Sequence, residues 1–257
     1  MRRYGLRDDQ WERLEHRLPG KESDPGVTAK DNRLFVEAVL YRYRAGIPWR
    51  DLPERFGDFR VVHTRHTRWS EKGVWQQVFE VLAEDADNEY AAIDATIVRA
   101  HQHSAGASKK KPSDTCETQA IGRSSGGLST KIHATGDALG NPTGFHLTPG
   151  QAHDLQGADV LLAKIDEIGA LLADKADDAE QRVSECLTKA DCQAVIPPKS
   201  NRTKHREYDK PMYKWRHLIE NLFQKLKQYQ ALATRYDKTA RNFLGAIYLA
   251  AAVIWLN

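Results

Sequence analysis

The chain has 257 residues, of which 40% are hydrophobic and 28% are charged, which is typical of a soluble globular protein and excludes a disordered or fibrous chain. The formal net charge of +3 is too small to identify a nucleic-acid partner, so the distribution of charge is more informative than its sum. Three cysteines form neither an even disulfide set nor a Cys-x-x-Cys metal pair, which favours a reducing compartment.

Neither end of the chain predicts a membrane segment. The start, M-R-R-Y-G-L-R-D-D, is basic but lacks the apolar stretch of a secretory signal. The longest apolar run, residues 243–256, contains Gly245 and is short for a membrane span, so a buried helix is the better interpretation. We therefore expect a cytoplasmic protein without a membrane partner.

Residues 6–84 are predicted to be helical throughout, with short helices bounded by Asp, Gly and Pro. Among them, residues 61–72 read V-V-H-T-R-H-T-R-W-S-E-K and interleave basic side chains with hydroxyls. Arg65 and Arg68 there can pair with guanine or with phosphate. This pattern suits a helix-turn-helix DNA-binding domain over residues 1–86. The alternative is a small helical bundle with a solvated basic face.

The pattern changes near residue 90, where short apolar strands begin to alternate with helices. A polar linker at 103–127, which includes Lys109 to Lys111, follows the first strand. The order of strands and helices predicts an α/β domain with a mixed sheet over residues 87–257. Predicted strands lie at 90–98, 128–134, 143–148, 170–174 and 193–196, and predicted helices at 154–168, 179–190, 205–230 and 238–256.

Two aspartates occupy positions that a sheet does not need. Asp94 lies inside the first strand of this domain, and Asp174 follows the apolar run Ala-Leu-Leu-Ala. A carboxylate in or beside a buried strand is costly unless it is hydrogen-bonded, paired or bound to metal. The alternative for either residue is an aspartate that ends a strand and caps a loop.

The segment from Tyr213 to Lys227, Y-K-W-R-H-L-I-E-N-L-F-Q-K-L-K, predicts one amphipathic helix. At 100° per residue its Tyr213, Arg216, Glu220 and Lys227 fall within an arc of roughly 60°. Trp215 falls on the opposite side with the leucines, where we expect the core. The alternative is a solvated helix face with Arg–Glu and Glu–Lys pairs.

Asp94, Asp174 and Glu220 would place three carboxylates on separate elements of one domain. Close carboxylates repel each other and require a cation, and oxygen ligands without nearby cysteine select Mg²⁺ or Mn²⁺. Two such ions can activate an attacking oxygen and stabilise a leaving oxygen at phosphorus. Zinc at His101-x-His103 is disfavoured because no further ligand has suitable spacing.

The motif Y-x2-R-x3-E-x6-K resembles the signature of DDE-class insertion-sequence transposases. The surrounding sequence is similar to the insertion-sequence-five family of bacterial elements, for example in P-W-R-D-L-P-E-R-F-G from Pro48 and A-I-D-A-T-I-V-R-A-H from Ala92. A third matching stretch is A-T-R-Y-D-K-T-A-R-N-F from Ala233. The resemblance covers nearly the whole chain.

This resemblance implies a ribonuclease-H-like catalytic domain in which Asp94, Asp174 and Glu220 are the catalytic metal ligands. It also implies Mg²⁺-dependent cleavage of double-stranded DNA at the inverted-repeat ends of the element and strand transfer into target DNA. By the same resemblance, Arg216 and Lys227 hold phosphates, Tyr213 contacts the terminal strand, and a homodimer bridges the two ends in the bacterial nucleoid.

The family pattern A-D-K-G-Y-D is changed in this chain, where residues 173–178 read A-D-K-A-D-D. The change removes a glycine suited to positive φ and a tyrosine, and it adds the carboxylate of Asp177. Two alternatives to an active transposase therefore stay open. One is a transposase-derived DNA-binding repressor that no longer cuts, and the other is a metal-dependent nuclease without strand transfer.

Overall fold

The computed structural model describes residues 4–25, 28–106, 119–165, 168–174, 192–197 and 207–257. The chain divides into two compact units. The helical unit comprises Met1–Glu84, His101–Ser108 and Leu226–Asn257, and the sheet unit comprises Asp85–Ala100 and Lys109–Lys225. The sequence predicts one boundary near residue 86, whereas the helical unit also takes in the C-terminal residues.

The elements follow the predicted alternation closely. The α-helices are α1 (Asp8–Glu15), α2 (Asn32–Ala45), α3 (Phe59–Glu71), α4 (Val74–Ala83), α5 (Asp154–Leu162), α6 (Lys210–Tyr213), α7 (His217–Lys227), α8 (Gln230–Ala233) and α9 (Ala240–Trp255). Short 3₁₀ helices lie at Trp49–Asp51, Glu54–Phe56, Gln102–Ala105 and Lys214–Arg216. The strands are β1 (Tyr90–Ala100), β2 (Gly122–Ser124), β3 (Gly127–Gly136), β4 (Pro142–Pro149), β5 (Ala170–Leu172), β6 (Gln193–Val195) and β7 (Thr234–Arg235).

Capping residues fix the limits of the helices in the N-terminal part. The Asp31 side chain accepts the Leu34 N–H at 2.8 Å, and Gly46 ends α2 at a φ of 69°, in the left-handed region that glycine tolerates best. Helix α3 begins two residues before its predicted start because Asp58 accepts the Arg60 N–H at 2.8 Å. These caps therefore determine where α2 and α3 begin and where α2 ends.

The C-terminal helix α9 is buried along most of its length and packs on α3 and α4. Asn242 Nδ2 donates to Thr67 Oγ1 at 3.0 Å. Gly245 lets the helices approach closely, since a Cβ there would lie 2.5 Å from Ser70 Oγ and 3.0 Å from Trp75 Cδ1. Trp69 and Trp75 are 7% and 1% exposed, so both rings belong to the core of this unit.

A buried polar network attaches the chain after β7 to α2 and α3. Tyr43 Oη donates to Asp237 Oδ1 at 3.0 Å, and Arg42 Nη1 lies 3.5 Å from Asp237 Oδ2. His66 Nε2 lies 3.2 Å from Tyr43 Oη. Because these side chains are at most 7% exposed, protein groups rather than water supply the hydrogen bonds of the Asp237 carboxylate.

The sheet of the sheet unit is mixed, as the sequence predicts. The strand order is β2-β3-β1-β5-β6. β4 also pairs directly with β3, at residues 130–136, which follow the residues of β3 that pair with β2. β1 runs antiparallel to β3 and parallel to β5, and β5 runs parallel to β6. The antiparallel pairing of β1 with β3 extends from Ala92–Gly136 to Arg99–Ser129. The residues of β3 are buried along most of the strand.

The two faces of this sheet have different roles. Odd-numbered residues such as Ala91 and Ile93 belong to the apolar cluster that includes Leu161 of α5 and Leu171 of β5. Side chains alternate along a strand, so the even-numbered residues point to the opposite face. Asp94 is therefore on the face away from α5.

Three predicted elements differ from the structure or cannot be compared. Helix α5 ends at Leu162, before the predicted 168. The helix predicted over 205–230 is divided in the described residues: α6 begins at Lys210, where Asp209 accepts the Met212 N–H, and a 3₁₀ turn separates it from α7, which ends at Lys227. The predicted helix 179–190 and the lysine run 109–111 lie outside the described residues. In the described part of the chain, no helix is long and apolar enough to cross a membrane.

Candidate active site

Strand register brings the first two aspartates to the same place. β1 and β5 are parallel neighbours, and Ala92 pairs with Leu172. Asp94 and Asp174 each come two residues later, so they lie at the same level and on the same face of the sheet. Asp174 follows the end of β5 rather than ending the strand itself.

The third predicted carboxylate, Glu220, lies on α7, and Arg216 bridges it to Asp94. Arg216 Nη1 lies 2.8 Å from Asp94 Oδ2, and Nη2 of the same guanidinium lies 2.6 Å from Glu220 Oε1. Arg216 and Glu220 are one helical turn apart, which places both on the face that the spacing predicts. The Asp94 side chain is 22% exposed, and that of Glu220 is 51% exposed.

Tyr213 borders this cluster on the side of Asp174. Its hydroxyl lies 3.5 Å from Asp174 Oδ1, a long hydrogen bond, and the Arg216 guanidinium lies 6.0 Å from its ring centroid. Tyr208 packs edge-on against Tyr213 with the ring centroids 5.6 Å apart. Sequence reasoning missed Tyr208, although its place directly before the capping Asp209 is a signal for a fixed position.

The pKa values of Asp94 and Arg216 are shifted by burial and by the charges around them. Burial raises the pKa of Asp94, and the nearby Asp174 carboxylate raises it further, against the lowering effects of the Ala95 N–H and of Arg216. Burial opposes the charge of Arg216, but attraction to Asp94 and the other anionic groups around it raises its pKa overall. The Asp94 carboxylate is therefore undercompensated even with Arg216 beside it.

The donor types fit a hard divalent cation, because carboxylate oxygens are the ligands that Mg²⁺ and Mn²⁺ prefer. In the arrangement described, Arg216 lies between Asp94 and Glu220. Among the residues with described positions, no group of three or more His, Cys, Asp or Glu is close enough to hold a metal ion. A site with all three carboxylates as ligands requires the Arg216 side chain to move aside.

Two other residues of the predicted helix have distinct positions. Lys227 is the last residue of α7. Trp215, predicted to be in the core, is 52% exposed, so that prediction is wrong. The reason is that Trp215 lies in the 3₁₀ turn before α7, and the fully buried apolar stripe begins only at Ile219.

The predicted DNA-binding arginines of α3 have different surroundings. The Arg68 side chain is exposed. Arg65 is half-buried, with its guanidinium 4.2 Å from the Phe35 ring centroid and 4.7 Å from that of Trp69. It also donates to Asn32 Oδ1.

Family comparisons agree with this architecture. Residues 6–79 match the family model "Putative transposase of IS4/5 family". Residues 86–255 match the model "Transposase DDE domain". The second match spans the mixed sheet, Asp94, Asp174 and Glu220, and it confirms the predicted ribonuclease-H-like α/β fold after an N-terminal helical region.

Three bacterial proteins are similar to parts of this chain. A protein of Brucella ovis named "Putative transposase for insertion sequence element IS6501" is 37% identical over 130 residues, which is 51% of this chain and 100% of that protein. "Uncharacterized protein y4sN" of Sinorhizobium fredii is 52% identical over 107 residues, covering 42% of this chain and 86% of its own length. "Insertion element IS402 uncharacterized 16.2 kDa protein" of Burkholderia cepacia is 32% identical over 105 residues, 36% of this chain and 71% of its own. The chain belongs to the insertion-sequence transposases that carry a DDE domain.

Proposed function

We propose that this transposase binds double-stranded DNA at the terminal inverted repeats of its element, cleaves it and joins the freed 3′-hydroxyl to target DNA. The observation that carries the proposal is the convergence of Asp94, Asp174 and Glu220 around Arg216. One helical turn explains the Arg216–Glu220 pair alone, whereas a surface ion pair of this kind does not require the strand register that places Asp94 beside Asp174.

Asp94, Asp174 and Glu220 would hold Mg²⁺ or Mn²⁺, which when bound activates an oxygen nucleophile and stabilises the leaving oxygen at phosphorus. Arg216 serves this chemistry by moving from the carboxylates to the phosphate, where its fork of donors matches two phosphate oxygens. Lys227 adds a positive charge that attracts the phosphates of the DNA strand being cut. Tyr213 supplies a ring and a hydroxyl that contact the same DNA strand.

The test is cleavage of a duplex that carries the terminal repeat, in the presence of Mg²⁺ or Mn²⁺. Asp94→Asn and Glu220→Gln should each abolish nicking while leaving duplex binding intact. The matched control is Glu89→Gln, an exposed carboxylate of the same unit. Retained nicking in both site variants would contradict the assignment of these residues.

The same assay separates the transposase from its alternatives. Wild-type protein that binds the repeat but never nicks it would be a DNA-bound repressor. Protein that cuts, but never joins supplied 3′-hydroxyl ends to a target duplex, would be a nuclease. We further propose that two copies bridge the two ends, which predicts a complex of two chains and two duplexes in sedimentation measurements.

A further inference from the structure

A basic cleft runs along α3 in the helical unit. Its volume is about 1150 Å³, and its walls are α3 and the loop that follows α1. Its basic lining residues, apart from Arg65, are Arg17, Lys21, Arg60, Arg68 and Lys72. The acids of the lining have internal partners: Asp24 accepts the N–H groups of Gly20 and Lys21, and Asp58 pairs with Arg60. The cleft therefore presents net positive charge.

The face of α3 toward this cleft is exposed and chemically mixed. Val61, Thr64, Arg68 and Lys72 recur at intervals of three and four residues, so they form one stripe. Val61 is 65% exposed, although it is a large apolar side chain. From Arg60 to Lys72 the helix rises about 18 Å, the axial length of about five base pairs.

The opposite side of α3 is held in place by the rest of the helical unit. Thr67 accepts from Asn242, and Glu71 lies 2.8 Å from Arg241 of the same helix α9. Buried His66 contacts Tyr43 on α2. A helix fixed on one side and exposed on the other is preorganised for docking.

Arg65 also helps to hold α3 in place, although it lines the cleft. Its guanidinium is stacked on Phe35 and Trp69 and donates to Asn32, which connects α3 to α2. Burial lowers its pKa, which indicates that its charge is already partly removed from water. By contrast, the side chains of Arg68 and Lys72 are exposed, and neither makes a side-chain hydrogen bond or an ion pair with the residues that the structure describes.

We propose that the cleft binds one phosphodiester strand of double-stranded DNA and that the Val61–Thr64–Arg68 stripe faces base edges in the adjoining major groove. Lys72 contacts phosphate, and Arg65 is a positioning residue that sets the angle of α3 without touching DNA. Thr and Val offer methyl groups to thymine, and Arg pairs with guanine. This inference rests on the proposed function, because it assigns how the element end is recognised.

The experiment measures binding of the full-length protein to two duplexes, in EDTA so that no cleavage competes. One duplex carries the terminal repeat that flanks the reading frame, and the other carries the same bases in shuffled order. Arg68→Ala should reduce the preference for the repeat by roughly 5- to 150-fold. Lys72→Ala should weaken both duplexes equally and lower the slope of log K against log salt by about one.

Arg65→Met separates positioning from contact, because methionine keeps packing on the rings but carries no charge. We expect it to leave both the salt slope and the preference unchanged. The charge-matched control is Arg50→Ala, an exposed arginine outside the cleft. A slope lowered by about one in Arg65→Met overturns the positioning role.

Four further outcomes decide the rest. Equal loss on both duplexes in Arg68→Ala overturns base reading, and cleft variants indistinguishable from Arg50→Ala overturn the surface. If the wild type shows the expected binding pattern but never nicks the repeat with Mg²⁺ or Mn²⁺, the proposed catalysis fails and the DNA surface stands. If it nicks the repeat while the cleft variants bind normally, the surface fails and the catalysis stands.

Discussion

The guanidinium of Arg216 lies 2.8 Å from the carboxylate of Asp94, although 122 residues separate them in the chain. This ion pair does not fully compensate the buried carboxylate, since the pKa of Asp94 stays raised. The site therefore keeps an unfavourable charge in the folded protein, a common cost of active sites. The divalent cation that we propose for this site would relieve it.

Asp94→Asn should accordingly stabilise the protein at pH 7. A carboxyl whose pKa is higher in the folded state than in the unfolded state destabilises the fold when it is ionised. This penalty starts to shrink as pH falls through the folded pKa and is gone below the unfolded pKa. The gain, of roughly 0.5–2 kcal/mol as for other single stabilising substitutions, should shrink on acidification toward pH 4. Urea unfolding at several pH values measures it, and Glu89→Gln should show no such gain.

Added Mn²⁺ or Mg²⁺ should raise the melting temperature of the wild type. A ligand that binds only the folded state at 100 times its Kd contributes about 2.7 kcal/mol. Asp94→Asn should show little of this rise, because it loses a ligand. Thermal unfolding with and without the ions decides the question independently of cleavage, and an equal rise in both proteins would place the ion elsewhere.

Tyr43→Phe should destabilise the helical unit by about 1–3 kcal/mol, because it leaves the buried Asp237 carboxylate without its hydroxyl donor. Asp237→Asn should cost more, about 3–5 kcal/mol, because it removes the carboxylate that compensates the buried charge of Arg42. The control is Tyr236→Phe, at a side chain that is 41% exposed. Denaturant unfolding followed by tryptophan fluorescence gives the comparison.

Acidification from pH 6.5 to pH 4 should destabilise the protein through two buried histidines. Burial lowers the pKa of His66 and of His133 to about 4, so the unfolded state takes up protons first and stability falls with pH across this window. Each contributes on the order of 3 kcal/mol. His66→Gln and His133→Gln should each flatten the dependence, whereas His16→Gln, at an exposed position, should not.

Gly245→Ala should destabilise the protein by about 1–3 kcal/mol despite the higher helix propensity of alanine. Its Cβ would lie 2.5 Å from Ser70 Oγ and force α9 away from α3. At Gly126 the nearest atom to an added Cβ is Ser124 Oγ at 3.8 Å, so Gly126→Ala should be tolerated. Equal effects of the two changes would contradict the close-approach argument.

Local rules predicted much of this structure. Short helices bounded by Asp and Gly are predicted from local propensity, and Asp31 and Gly46 bound α2 in this way in the structure. The Arg216–Glu220 turn was also predictable, because residues four apart share a helix face.

The remaining features depend on contacts between distant parts of the chain. Nothing near Arg65 in the sequence shows that Phe35 and Asn32 would hold it. Likewise, no local signal shows that Asp237 would be paired with Arg42. Periodicity assigns a residue to a face, but what covers that face is decided by tertiary packing, as the exposed Trp215 illustrates.

The interleaving of the helical unit has a consequence for synthesis. Its first 84 residues leave the ribosome long before residues 226–257, which supply the helix that completes their core. At 5–20 residues per second the delay is roughly 7 to 30 s. During that interval the nascent N-terminal part lacks the packing that orders α3. An mRNA that is cut short would therefore yield N-terminal fragments in which α3 lacks the support of α9.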